Sequence, residues 1–296
     1  MGRKLFVKAP PPSLQVELDG VTNEEQLLAR FPSLRRKVAG FSWLPLAIAI
    51  SVILAVWYLA TYLLNVPVYI LPLPHVILLK IIESYQLILS HLWVTLFESV
   101  IGLFAAIVLG VLIACLIVWS AKLNQALLPI LAFSQTVPKV AIAPLFIFWF
   151  GFGIFPKIVM AFLISFFPIV IATATGLNSV PKELLELIRS LTKRQSEIFR
   201  RVRLPTALPY FFSGLKVAVT LSVIGALVGE FVGADKGIGY MILIANSDLD
   251  APLLFAAIAV LAAVGYLLFM SVEFIEQRAI PWHASVKLKN SALEAS

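Results

Sequence analysis

The chain is short of charge, of cysteine and of catalytic signatures. Only 13% of its 296 residues are Asp, Glu, Lys or Arg, whereas 60% are hydrophobic. Soluble domains carry roughly a quarter charged residues and no more than about half apolar ones. That surplus exceeds what a soluble core buries, so lipid is the expected solvent. A single cysteine, Cys115, lies in an apolar run and excludes a disulfide within one chain. No Gly-x-x-x-x-Gly-Lys-[Ser/Thr] run occurs, so the chain has no phosphate-binding loop of its own. His75, His91 and His283 are scattered without metal-ligand spacing, and neither Gly-x-Ser-x-Gly nor His-Glu-x-x-His is present. An intramembrane enzyme finds no support.

Apolar runs are what the chain has instead. A helix that crosses a bilayer needs about 20 mostly apolar residues, and six stretches qualify: about 43–64, 92–119, 125–150, 156–177, 210–233 and 251–274. The third is interrupted by Pro138, Lys139 and Pro144. A further helical stretch, about 74–90, carries Lys80 and Glu83 and is expected at the outer interface. No cleavable leader is expected, because the first apolar run starts near Trp43 behind a charged tail and is long enough to stay. With six spans, both ends share one side. Eighteen of the 23 Lys and Arg fall on that side and three on the other, which makes it cytoplasmic and reads the net charge of +7 as topology rather than nucleic-acid binding. The expected organisation is an arm over 1–42, a transmembrane domain over 43–276 and a tail over 277–296. In the arm, Pro10-Pro11-Pro12 blocks regular structure, and Thr22 to Glu25 has the spacing to start a short helix over about 23–30. No internal repeat is visible, which weakens an inverted-repeat secondary transporter.

The loop over 178–209 is far more polar than its flanks. Leu184, Leu187, Ile188 and Leu191 recur at helical spacing, and Ile198, Phe199 and Val202 continue a second set. Pro181 suits a first helical position. Thr192, with Gln195 three residues on, has the spacing to start a second helix, which Leu204-Pro205 would end. Two short amphipathic helices on the cytoplasmic face result. Their apolar stripe suits either a groove on a soluble partner or the lipid headgroups.

At these residues the sequence resembles the EAA loop of bacterial ABC importer permeases. The family pattern is Glu-Ala-Ala, three residues, Gly, nine residues, Ile, one residue, Leu-Pro. Glu186-Leu187-Ile188 stands at the first three positions, Thr192 at the Gly, Val202 at the Ile, and Leu204-Pro205 matches fully. Thr192 is the departure: Gly permits a left-handed turn that Thr disfavours. The stretch from Gln135 to Gly153 resembles the third-span signature of the nitrate, sulfonate, taurine and thiamine-pyrimidine-precursor branch, and Gly229 to Tyr240 the end of its fifth span. The similarity covers about 45–275.

The resemblance implies an all-α, six-span, N-in/C-in permease of the type I, MetI-like kind in the bacterial cytoplasmic membrane. It implies a separate ATPase dimer that binds the ATP, an external solute-binding protein and a second permease copy, identical or a close paralogue. The chain itself takes no cofactor and no metal. Coupling to the ATPase would fall to Glu183, Glu186, Arg189, Ser190, Thr192, Leu204 and Pro205. The wording Pro138 to Leu145 is similar to permeases for heterocyclic vitamins or precursors, of thiamine-pyrimidine or riboflavin type; an oxyanion or organosulfonate (nitrate, sulfonate, taurine) is the alternative.

Charges inside spans are candidates by themselves, because lipid makes them costly. Glu98, Lys139 and Glu230 qualify. Each has a structural reading as well: an interhelix hydrogen bond or a headgroup contact for Glu98, a structural or gate role capping the Gly-rich outer turn for Glu230, a carboxylate pair or a reach to the cytoplasmic surface for Lys139. Gln135, Pro138, Lys139, Trp149 and Glu230 are the candidate lining of a pathway, since prolines loosen the backbone where a cavity can form. The aromatics Phe146 to Phe155 could stack a flat ring or form an interfacial belt. An ion-coupled secondary transporter relaying through Glu98, Lys139 and Glu230, and a scaffold that recruits a soluble enzyme through its loop, are the rival readings.

Overall fold

Why the apolar runs end where they do is visible in a computed structural model of the chain, which describes residues 43–192 and 194–281. Those residues are helical, with no strand among them. The arm over 1–42, with its expected helix, and residues 282–296 lie outside the described residues. The described residues from 49 onward belong to one compact unit. The helices are α1 (Trp43–Leu63), α2 (Pro74–Glu83), α3 (Tyr85–Trp119), α4 (Ala121–Thr136), α5 (Ala143–Phe150), α6 (Ile154–Asn178), α7 (Lys182–Leu191), α8 (Gln195–Ile198), α9 (Leu204–Gly233), α10 (Ile238–Ser247) and α11 (Ala251–Ala279). A short 3-10 turn, Lys139–Ile142, precedes α5, and a π turn, Phe199–Arg203, joins α8 to α9.

Among the described residues, four helices are long and apolar enough to cross a bilayer: α3, α6, the continuous rod Gln195–Gly233, and α11. The expected third span is different. Its two halves, Lys122–Thr136 and Lys139–Phe150, meet at a bend of 83°. Pro138 supplies no backbone N–H and Val137 before it is extended, with φ −69° and ψ 124°, so a straight rod cannot form there, while Pro144 is accommodated in the first turn of α5. The helix expected over 74–90 also divides. It breaks at Ser84, which ends α2 and starts α3, so 85–90 belong to the long span. The sixth span, expected over about 251–274, runs on to Ala279.

The bundle is centred on α6, which packs between α3 and α9. Lipid offers no hydrophobic drive for helix association, so close packing of small residues must supply it. Gly102 of α3 and Gly225 of α9 press on Ala161 from two sides. A Cβ at Gly102 would come within 2.5 Å of the Ala161 Cβ, and one at Gly225 within 2.6 Å of its Cα. Further along, Ala106, Ala114, Phe166, Ile169 and Ala174 close the same seam. A second core joins α2, α10 and α11 through Ile77, Ile238, Met241 and Ala256. Two ion pairs tie α11 into place. Lys80 on α2 reaches Asp250 at 2.8 Å, and Lys216 on α9 pairs with Glu276. Asp250 also caps α11, its Oδ1 accepting from the Leu253 N–H at 3.0 Å.

Candidate coupling surface and pathway cavity

α7 stands at one end of the bundle, and none of its residues is buried. Leu184, Leu187 and Leu191 are 43%, 58% and 79% exposed, while Leu185 and Ile188 turn toward the chain and are half-buried. The leucines at positions i, i+3 and i+7 form one stripe. Glu183, Glu186, Arg189 and Ser190 are exposed beside it, so apolar and charged groups are presented together.

The turn after α7 departs from expectation in two ways. Thr192 does not start a helix; it closes α7 with φ −141° and ψ 134°, and α8 begins at Gln195. An extended backbone suits a β-branched residue, so no left-handed conformation is needed where the family pattern has Gly. The Thr192 hydroxyl holds the turn by donating to Glu197 Oε2 at 3.0 Å and accepting from the Arg194 N–H at 3.3 Å. Nor do Leu204 and Pro205 end the second helix. The Leu204 N–H reaches back to the Phe199 carbonyl, closing a π turn, and α9 continues through Pro205 in its first turn. A proline is tolerated there because first-turn N–H groups need no partner inside the α-helix.

Of the candidate pathway residues, Gln135 and Lys139 line one cavity, of about 510 Å³, at the break between α4 and α5. Phe167, Pro168, Ser213 and Gly214 form the opposite walls. Lys139 is half-buried, with its Nζ 4.8 Å above the centre of the Phe167 ring, and has no carboxylate within ion-pair distance among the described residues. A cation over an aromatic face is an attractive pair. Pro168 cannot donate to the Ile164 carbonyl, which loosens the wall at the same level. Pro138 supplies the break itself. Trp149 stands apart and exposed, edge-on to Phe146 at 5.8 Å, within an aromatic group in which Phe146 also stacks on Phe150 and Phe148 and Phe152 stay open.

Glu230 lies elsewhere, in a buried polar cluster that sequence reasoning saw only in part. Its Oε2 accepts from the Gly239 N–H at 2.6 Å, and its Oε1 from the Thr95 hydroxyl at 2.6 Å. That hydroxyl in turn accepts from the Ile238 N–H at 2.8 Å, and His91 Nδ1 accepts from the Gly237 N–H at 3.0 Å. The turn between α9 and α10 is thereby stitched to α3. Gly237 has φ 116°, and a Cβ there would collide with the Glu230 carboxylate. Glu98, fully buried, pairs with Lys157 at 3.5 Å, although Lys157 reads from the sequence as an outer-loop charge. The signal for it was the need itself: carboxylates inside spans require a cation, and Lys157 opens the next apolar run. Lys157, not Lys139, is therefore the cation that pairs with Glu98.

A family model described as "Binding-protein-dependent transport system inner membrane component" matches residues 106–281. The chain is 37% identical to the formylaminopyrimidine transport permease protein ThiX of Halalkalibacterium halodurans, over 78% of this chain and 92% of that one. It is 33% identical to a putative aliphatic sulfonates transport permease protein, SsuC, of Bacillus subtilis, over 83% and 90%. Among solved structures it resembles an inward-facing MetNI methionine ABC transporter chain with a TM-score of 0.59 at 21% identity, covering 66% of this chain and 97% of that chain.

Proposed function

The chain belongs to the family of binding-protein-dependent transport system inner membrane components, the multi-pass permease subunits of ABC importers, and from that premise we propose how it couples and what it carries. α7 docks in a groove of the cytoplasmic ATPase subunit, and Glu183, Glu186, Arg189, Ser190 and Thr192, with Leu204 and Pro205 behind the turn, transmit the stroke. The observation that carries this reading is the stripe Leu184, Leu187 and Leu191: apolar, helical and left open by the described residues around it. An exposed apolar patch rimmed by charge marks a binding surface. Both termini lie on the cytoplasmic side, as the basic residues dictate, and two copies, or this chain with a paralogue, enclose the pathway. An external binding protein delivers the substrate.

The substrate is a small heterocycle of the thiamine-pyrimidine or riboflavin type, and the Gln135–Lys139 cavity receives it. Phe167 offers a flat face and Gln135 a polar edge. Lys139, uncompensated by a carboxylate among the described residues, favours an anionic substrate such as a sulfonate as the second reading.

Two measurements test this. Glu186→Lys reverses the charge on the docking face and is expected to abolish uptake and co-purification of the ATPase while the permease still inserts; unchanged co-purification sinks the docking reading. Mass spectrometry of the ligand carried by the partner binding protein separates the substrate classes, with a pyrimidine or flavin ring expected and a sulfonate or nitrate deciding for the alternative.

A further inference from the structure

Between the end of α3 and the turn leading into α9 lies a pocket of about 320 Å³, walled by Trp119, Arg189, Gln195, Phe199 and Arg203. Two guanidiniums meet there. Arg203 is half-buried, and Arg189 lies close enough for its charge to act on it. Neither forms an ion pair with a carboxylate among the described residues, although acids are near in sequence. Glu197 is occupied by the Thr192 hydroxyl, and Glu183 and Glu186 sit exposed on α7. Like charges held together across a partly desolvated space repel until an anion lies between them.

The backbone is shaped to keep them there. In the π turn the Leu204 N–H bonds the Phe199 carbonyl, five residues back. Pro205 has no N–H to return to the Arg201 carbonyl, which favours that wider turn over an α-helical one. The result sets Phe199 and Arg203 on one wall of the pocket, and single π turns of this kind recur at functional sites. On the other wall Trp119, 70% exposed, packs edge-on to Phe199 with ring centres 6.4 Å apart. It ends a helix whose Leu112 and Leu116 are open to lipid. The pocket thus has a guanidinium floor, an indole rim and a neighbouring hydrocarbon surface.

We propose that this pocket binds a phosphate group, gripped by Arg203 and Arg189, with the Trp119 indole N–H and Gln195 amide as further donors. Guanidinium forks match phosphate oxygens two at a time, which an ammonium cannot do. Basic pockets at the cytoplasmic ends of membrane helices receive anionic headgroups, so the phosphate comes from a lipid headgroup or from free phosphate. The proposal rests on the cytoplasmic placement of this end of the bundle but not on the docking of α7. The occupied pocket would brace the turn behind the coupling helix.

The test uses the full-length permease, with its ATPase subunit where the two co-purify and alone where they do not, so that a failure of α7 docking leaves it unaffected. Native mass spectrometry with added phosphatidylglycerol, against a neutral glycosyl diacylglycerol, reads the lipid arm; equilibrium dialysis with labelled inorganic phosphate reads the free arm. One of the two anions is expected to bind saturably, and the arm that responds identifies the source. Arg203→Gln is expected to weaken that binding at least tenfold, Arg203→Lys to weaken it less while guarding against misfolding, and Lys182→Gln, on the same exposed helix as Arg189 but outside the pocket, to leave it unchanged. Saturable binding of neither anion, or an equal loss in Lys182→Gln, overturns the proposal. So does an Arg203→Gln variant that keeps its phosphate but releases the ATPase, which would make the pocket a seat for an acidic side chain.

Discussion

Lys157 is the buried cation beside Glu98, at 3.5 Å, and no bulk water shares the load. Removing one partner of a buried pair leaves the other charge uncompensated, at about 3–5 kcal/mol, whereas removing both can be nearly neutral. Lys157→Met should therefore lower the melting temperature of the purified permease sharply, and the double variant Glu98→Gln/Lys157→Met should recover most of the loss. A double variant no better than the single would show that Lys157 matters for packing alone. At this scale the sequence is half legible. Glu98 and Glu230 are conspicuous because a charge in an apolar run needs a reason. Lys157, three residues into α6 and beside Gly153 and Pro156, reads as a loop charge, and its pairing with a residue 59 positions earlier exists only once α3 and α6 are packed.

The turn from α7 into α9 shows what elements keep hidden. The amphipathic period of 184–191 is readable because it is local, and so is a break near Thr192. The path of the chain beyond that break is not. Leu204-Pro205 looks like a helix stop, yet a π turn accommodates the bond that Pro205 cannot make, and the chain passes through it into one rod. The Thr192 hydroxyl bridges Arg194 and Glu197 across that turn. Thr192→Val keeps the branched shape and removes both bonds, so it should cost about 1 kcal/mol locally and reduce ATPase-coupled uptake several-fold while the protein remains folded. Thr192→Ser, which retains the hydroxyl, should transport near the original rate. Equal uptake in Thr192→Val and the parent would separate the hydroxyl from coupling.

For the whole molecule, fold class and membrane location are written in composition, and the spans in α3, α6, α9 and α11 in their apolar runs. Pro138 and Pro144 foreshadow the 83° bend between α4 and α5, but its angle depends on what packs around it. The seam at Ala161 is invisible in the sequence, since a glycine in a membrane helix looks alike whether it faces lipid or a neighbour. Gly225→Leu should insert normally but leave α9 unable to approach α6, losing about 1–3 kcal/mol or more from overpacking, read as a lower melting temperature and a protease-sensitive bundle. Gly265→Leu, with open space around it, should be silent in the same assays.

That seam also sets a mechanical ratio. Gln195 to Gly233 is one 39-residue rod, in close contact with α6 from Gly229, beside Lys157, down to Ala207, beside Gly176. At about 1.5 Å per residue, roughly 33 Å of the rod is clamped and roughly 18 Å overhangs toward Gln195. A push on the Gln195 end therefore moves α6 and α9 together rather than tilting one against the other. The pair works like a bolted beam with a short overhang, carrying displacement from the α7 side to the place where Glu230 fastens the turn to α3.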